Sequence, residues 1–119
     1  MGFATPPVRI AIVDGSPAFA AAAAAHVAAL PGCVVAGAVE SADLVLVDLG
    51  AAPARGLEAL RRIRSLPDAP AVAAMTLFHS PETAAAAIAA GAVGLVGKDR
   101  FVSDLNELLA GLFPTELAA

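Results

Sequence analysis

The sequence predicts an α/β domain built on a doubly wound, five-stranded parallel sheet. Three observations lead there. Five short runs rich in Val, Leu, Ile and Ala alternate with segments that read as helices. Right-handed crossovers between parallel strands then place helices on both faces of one sheet. Four of the runs also close on a polar residue, Asp14, Asp48, Thr76 and Lys98, at the carboxyl ends where such sheets gather their ligands.

Val8 to Val13 is short, β-branched and nearly all apolar, which predicts a buried first strand. Ser16-Pro17 supplies an N-cap and a proline at the first helical position, opening a helix over Ala18 to Leu30 that Pro31-Gly32 stops. The alanine run in it is helix propensity rather than a repeat. Cys33 to Val39 is predicted as strand two and Leu44 to Val47 as strand three, with Asp48 at its exit. Leu57, Leu60 and Ile63 recur about one turn apart among Glu58, Arg61, Arg62 and Arg64, which predicts an amphipathic helix over Gly56 to Ser65 with the arginines on its solvated face. Ala71 to Met75 is strand four. Ser80-Pro81-Glu82 repeats the cap, proline and first-turn acid for a helix ending at Gly91. Val93 to Gly97 is strand five, and Leu105, Leu108, Leu109 and Leu112 share one face of a last helix starting near Ser103.

Bulk properties narrow the function. At 119 residues the chain is one domain, with its final residues, 114–119, expected to begin a linker or tail. A net charge of −4 lacks the basic footprint that a phosphate backbone requires, so direct nucleic-acid contact is not expected. The single cysteine, Cys33, is expected to be a buried small hydrophobe. Gly15 to Val39 holds no charged residue, but it is alanine-rich and broken by Pro31-Gly32, and Met1 to Pro7 offers no basic signal region. No membrane association is expected, and the location is read as cytoplasmic. No phosphate-cradling glycine loop follows strand one, only Asp14-Gly15-Ser16-Pro17, and no nucleophile elbow occurs, so the chain is not read as an enzyme or cofactor carrier. His26 is expected on a helix surface and His79 in a loop near the strand ends.

The order and spacing of several short motifs resemble the receiver domain of two-component response regulators, from about Val8 to Phe113. They are Ile12-Val13-Asp14, Leu44-Val-Leu-Val-Asp48-Leu49 with Gly56 eight residues on, Met75-Thr76, and Gly91-Ala-Val-Gly94 leading to Lys98-Asp99. The resemblance implies a flavodoxin-like fold. It also implies Asp48 as phosphoacceptor, Asp14 as an acidic pocket residue, Thr76 as the switch hydroxyl and Lys98 as the pocket lysine. Asp14, Asp48 and the Gly50 carbonyl would hold Mg²⁺. A histidine kinase or another signalling protein would be the partner. The tail Leu112-Phe-Pro-Thr-Glu-Leu-Ala-Ala119 looks like the start of the linker that in one class leads to a helix-turn-helix output domain and transcription control. Physically, a carboxylate attacks a phosphoryl group only when their charges are offset by a cation. Lys98 would neutralise the transferred oxygens, and Thr76 would couple the new phosphate to its loop.

The chain departs from that pattern. Receivers carry two adjacent acids after strand one, and the second is here Gly15, which predicts weakened Mg²⁺ binding. Leu77 replaces the small residue after the switch hydroxyl and is expected to obstruct the phosphoryl group. Leu95 stands where an aromatic switch is usual. Between strands two and three only Glu40-Ser41-Ala42-Asp43 remains where a helix is usual. Crossing two strand spacings of about 4.8 Å and returning roughly 17 Å along the sheet exceeds the about 14 Å reach of four residues. Strand two must therefore be shortened, with Gly37 to Asp43 running back as an extended segment, or else turn antiparallel; the first is expected. Apolar surface left without its helix predicts a homodimer, through this region or the last helix. The functional expectation is an atypical receiver with impaired Mg²⁺-dependent phosphorylation that acts through protein contacts; the alternative is a conventional phospho-switch controlling transcription through an output domain.

Overall fold

The structure is a computed structural model that describes residues 6–114. β1 (Val8–Val13), β2 (Cys33–Val35), β3 (Leu44–Asp48), β4 (Ala71–Thr76) and β5 (Leu95–Gly97) form one sheet in the order β2-β1-β3-β4-β5, parallel throughout. Four helices connect or follow them: α1 (Pro17–Ala29), α2 (Pro53–Arg64), α3 (Pro81–Ala89) and α4 (Phe101–Leu112). β3 and β4 lie at the centre, covered on both faces, which is why their sequences are almost wholly apolar.

Alternation along the strands divides the core into two layers. On one face α1 and α4 set Val27, Phe101, Leu105 and Leu109 against Ile10, Leu46 and Met75. On the other, α2 and α3 set Leu60 and Ala87 against Val45, Val47 and Val72. Ser16 caps α1 by accepting from the Phe19 N–H at 3.4 Å, and Ser80 caps α3 by accepting from the Thr83 N–H at 3.1 Å, with proline first in both helices. Arg61, Arg62 and Arg64 are exposed, and Arg62 meets Glu58 at 3.3 Å on the solvated side of α2.

Several boundaries differ from the sequence reading. α2 begins three residues earlier, at Pro53, because proline suits the first turn even without a capping side chain at Ala52. α4 begins at Phe101, after a 3₁₀ turn over Lys98–Arg100. β5 is shorter than Val93–Gly97, starting at Leu95. Residues 115–119, most of the expected linker, and residues 1–5 lie outside the described residues.

The largest correction concerns β2. It ends at Val35 rather than Val39, and it is parallel to β1, so the antiparallel alternative does not occur. Val35 and Leu44 both lie in register with Ile10, on opposite sides of it. Since β2 pairs with the first half of β1 and β3 with the second, the chain has no return journey to make. It crosses two strand spacings, roughly 10 Å. Residues 36–43 do so with a 3₁₀ turn over Val39–Ser41 rather than as a plain extended segment. Ala36, Val39 and Ala42 pack on the α2/α3 layer and cover part of the surface a crossover helix would occupy. Val34 and Val35 stay 40% and 42% exposed at the sheet edge.

Asp43 fastens this segment to β1. Its carboxylate accepts from the Arg9 N–H at 2.8 Å, its own N–H donates to the Arg9 carbonyl at 2.7 Å, and its carbonyl accepts from the Ala71 N–H at 3.1 Å. Asp43→Ala removes the one charge-assisted bond of the three and is expected to cost about 1 kcal/mol in urea unfolding; an unchanged midpoint would show that the crossover holds without it.

Candidate functional site

Asp14, Asp48 and Lys98 leave the carboxyl ends of β1, β3 and β5 on one edge of the sheet, and their side chains meet there. The Lys98 ammonium lies 2.8 Å from Asp14 Oδ2 and 3.4 Å from Asp48 Oδ1. The Asp14 side chain is fully buried, and those of Lys98 and Asp48 are 9% and 16% exposed. The second Asp14 oxygen accepts from the Ser16 N–H at 2.7 Å, and Asp48 Oδ1 also accepts from the Gly50 N–H at 3.1 Å. Gly50 has φ +68°, which lets the chain turn back under the Asp48 carboxylate. Asp48 Oδ2 accepts no hydrogen bond among the described residues and lies on the Gly50 side, beside an open cleft of about 320 Å³ lined by Gly15, Asp48, Gly50, Arg55 and Gly56.

Thr76 is brought to the same edge but not into the ion cluster. Its hydroxyl donates to the Phe78 carbonyl at 3.3 Å and accepts from the Phe78 N–H at 3.1 Å, turning the chain out of β4. Leu77, expected to obstruct Asp48, is 59% exposed and does not line the cleft beside it. It lines a separate groove with Phe78, His79 and Leu108. Leu95 is half-buried in the α2/α3 layer.

Sequence reasoning missed the floor of the site. The Lys98 ammonium lies 4.3 Å from the centre of the Phe19 ring, a cation–π contact from the first turn of α1. Phe19 meets Phe101 edge-on at 5.5 Å, and His26, expected on the helix surface, is half-buried with its ring 5.8 Å from Phe101. The signal was faint: an aromatic three residues after an N-cap is ordinary core.

Residues 10–110 match the response regulator receiver domain family. The chain belongs to that family. Solved structures of similar fold agree. The signal receiver domain of a DNA-binding response regulator from Colwellia psychrerythraea 34H is 21% identical, with 91% of this chain and 99% of that one covered at a TM-score of 0.73. A LuxR-family two-component response regulator from Aurantimonas sp. SI85-9A1 is 27% identical over 88% of this chain and 86% of that one, TM-score 0.68. A putative pilus assembly protein from Burkholderia thailandensis is 15% identical over 87% and 96%, TM-score 0.76. No curated protein matches the chain. Among the described residues, no helix is long and apolar enough to cross a membrane.

Receiver domains hold Mg²⁺ at this edge, where this chain places two acids, Asp14 and Asp48. Gly15 contributes no side chain, Asp14 Oδ1 accepts from the Ser16 N–H, Asp14 Oδ2 stands 2.8 Å from the Lys98 ammonium, and Asp48 Oδ2 accepts no hydrogen bond among the described residues. No group of three or more His, Cys, Asp and Glu side chains is placed to hold a metal among the described residues. The receiver glycine at position 56 has a steric reason. A Cβ there would stand 2.5 Å from Leu49 Cα and 2.9 Å from the Asp48 carbonyl, because α2 packs directly on the end of β3.

Burial alone would lower the Lys98 pKa, but the hydrogen bond it donates to Asp14 and the charges of Asp48 and Asp14 outweigh it, and the net shift is upward. A raised lysine contributes stability that is complete below its ordinary range and is lost as pH climbs through the raised value. The wild type should therefore hold its stability to about pH 10 and lose it above, whereas Lys98→Met, about 3 kcal/mol less stable at neutral pH, should lack that alkaline loss. Parallel profiles of the two proteins in urea unfolding would contradict the ion cluster. Gly56→Ala should cost about 1–3 kcal/mol by overpacking the β3–α2 junction, and a change of less than about 0.5 kcal/mol would show that the junction yields freely.

Proposed function

We propose that this receiver is an atypical regulatory module of two-component-type signalling, in which Mg²⁺-dependent phosphorylation of Asp48 is impaired and output runs through protein contacts. The supporting observation is the Lys98 ammonium set between Asp14 and Asp48 at 2.8 and 3.4 Å, with Gly15 beside them. Two carboxylates and one ammonium leave one net negative charge, where a third acid beside the same lysine would leave two, so the pull on a divalent cation is weaker. Asp48 remains the phosphoacceptor candidate, with Lys98 as the oxyanion partner and Thr76 as a switch hydroxyl that would have to leave Phe78 to reach a phosphate. The module works in the cytoplasm, with a histidine kinase or another signalling protein as partner and no direct nucleic-acid contact by these residues. A homodimer forms through the β2 edge, where Val34 and Val35 are exposed. The fourfold negative net charge favours that edge, since Gly15 to Val39 carries no charge.

A conventional phospho-switch that controls transcription through an output domain is the second reading. It is favoured by the free Asp48 Oδ2 and by Leu77 lying away from the cleft.

Acetyl phosphate followed by intact mass separates the two. The first reading expects labelling of wild-type Asp48 that does not rise to saturation with Mg²⁺, and Gly15→Asp, for which a Cβ meets nothing within 4 Å, to raise Mg²⁺ affinity about tenfold. Mg²⁺-saturable labelling of the wild type, lost in Asp48→Asn, would favour the second. Equilibrium sedimentation should show a dimer, and a monomer at high micromolar concentration would refute the interface.

A further inference from the structure

We infer that Arg55 makes the cleft beside Asp48 a binding site for a tetrahedral oxyanion, a phosphate or phosphoryl group, without a metal ion. The inference rests on the receiver reading but has its own observations. Asp48 and Arg55 are the only charged residues lining the cleft, and the rest of its wall is glycine, alanine and three apolar side chains. Arg9, Arg62 and Arg100 each have a carboxylate within 4.0 Å, and Arg64 donates to the Pro70 carbonyl. Arg55 and Arg61 have no such partner among the described residues, and of these two exposed arginines Arg55 is the one that lines the cleft.

Lys98 cannot supply this charge alone. It is held by Asp14 and Asp48 and lies over Phe19, with 9% of its side chain exposed. The missing acid at Gly15 removes the usual means of holding a divalent cation, while an anion approaching Asp48 still needs positive charge beside it. Arg55 offers that charge in a planar fork suited to phosphate oxygens. The cleft, about 320 Å³ and open to solvent, has room for the anion. When the anion is an acyl phosphate, Asp48 Oδ2 forms the new bond to phosphorus as the bond to the acyl oxygen breaks, and the carboxylate leaving group keeps the electron pair. Arg55 touches the transferred oxygens throughout and is a catalytic residue in that case.

The test is a titration of the whole chain with inorganic phosphate in EDTA, read from backbone amide shifts. Saturable shifts confined to residues 50–56 are expected. Arg55→Ala should weaken binding about tenfold, Arg55→Lys should recover part of the loss, and Asp48→Asn should tighten binding by removing the opposing charge. Absence of saturable shifts in EDTA, or an Arg55→Ala titration that overlays the wild type, would overturn the inference. Arg55 is exposed, and unchanged shifts elsewhere in the spectrum check that its variants fold. Acetyl phosphate in EDTA with intact mass then identifies the source. A phosphoryl gain on Asp48 that Arg55→Ala slows marks covalent transfer, and unchanged mass beside a saturable phosphate titration marks a reversible ligand; both support Arg55. Tight Mg²⁺ binding by the wild type would instead contradict the impaired-metal reading, and the phosphate titration would still decide Arg55.

Discussion

The ion cluster of Asp14, Lys98 and Asp48 constrains the whole carboxyl edge of this sheet. A fully buried carboxylate such as Asp14 is tolerable only when a cation and hydrogen bonds replace its water. Lys98 and the Ser16 N–H do that. Because Ser16 is also the N-cap of α1, the bond that satisfies Asp14 sets where the helix begins. The helix in turn places Phe19 under the ammonium. Strand ends β1, β3 and β5, a helix cap and an aromatic floor are thus tied to one charge. The Lys98 ammonium bridges the two carboxylates, and Gly15 places no third acid beside them.

The shortened β2 shows a different economy. A parallel crossover usually needs a dozen residues or more because it must travel back along the strands. Here the return is avoided by register, since Val35 and Leu44 flank the same residue, Ile10. The eight residues 36–43 bridge the gap, and Asp43 mimics a strand neighbour with its carboxylate. The edge that results is short, which limits strand-to-strand aggregation, but it leaves two valines in solvent.

Periodicity and caps made most of the architecture legible. Ser16-Pro17 and Ser80-Pro81 mark α1 and α3 at their observed starts, and the apolar runs ending in Asp14, Asp48 and Thr76 are β1, β3 and β4. The convergence of Asp14, Asp48 and Lys98 followed from strand ends sharing one edge of a parallel sheet. What was hidden depended on register and rotamer rather than pattern. The sequence signals a missing helix but not that β2 and β3 meet β1 at one residue. It signals a hydroxyl at Thr76 but not that Phe78 engages it. Leu77 read as an obstruction because side-chain direction at the end of a strand depends on how the chain turns, and it turns outward. Phe19 and Arg55 carried no motif at all, since their importance comes from what α1 and α2 bring near the strand ends.

A double-mutant cycle on Asp14→Asn and Lys98→Met, read by urea unfolding at neutral pH, tests the ion cluster most directly. The account predicts that the two substitutions are strongly coupled, with an interaction energy above about 1.5 kcal/mol and the double variant less damaged than the sum of the single ones. Additivity to within about 0.5 kcal/mol would show that the two groups do not depend on each other, and the central interaction would fall.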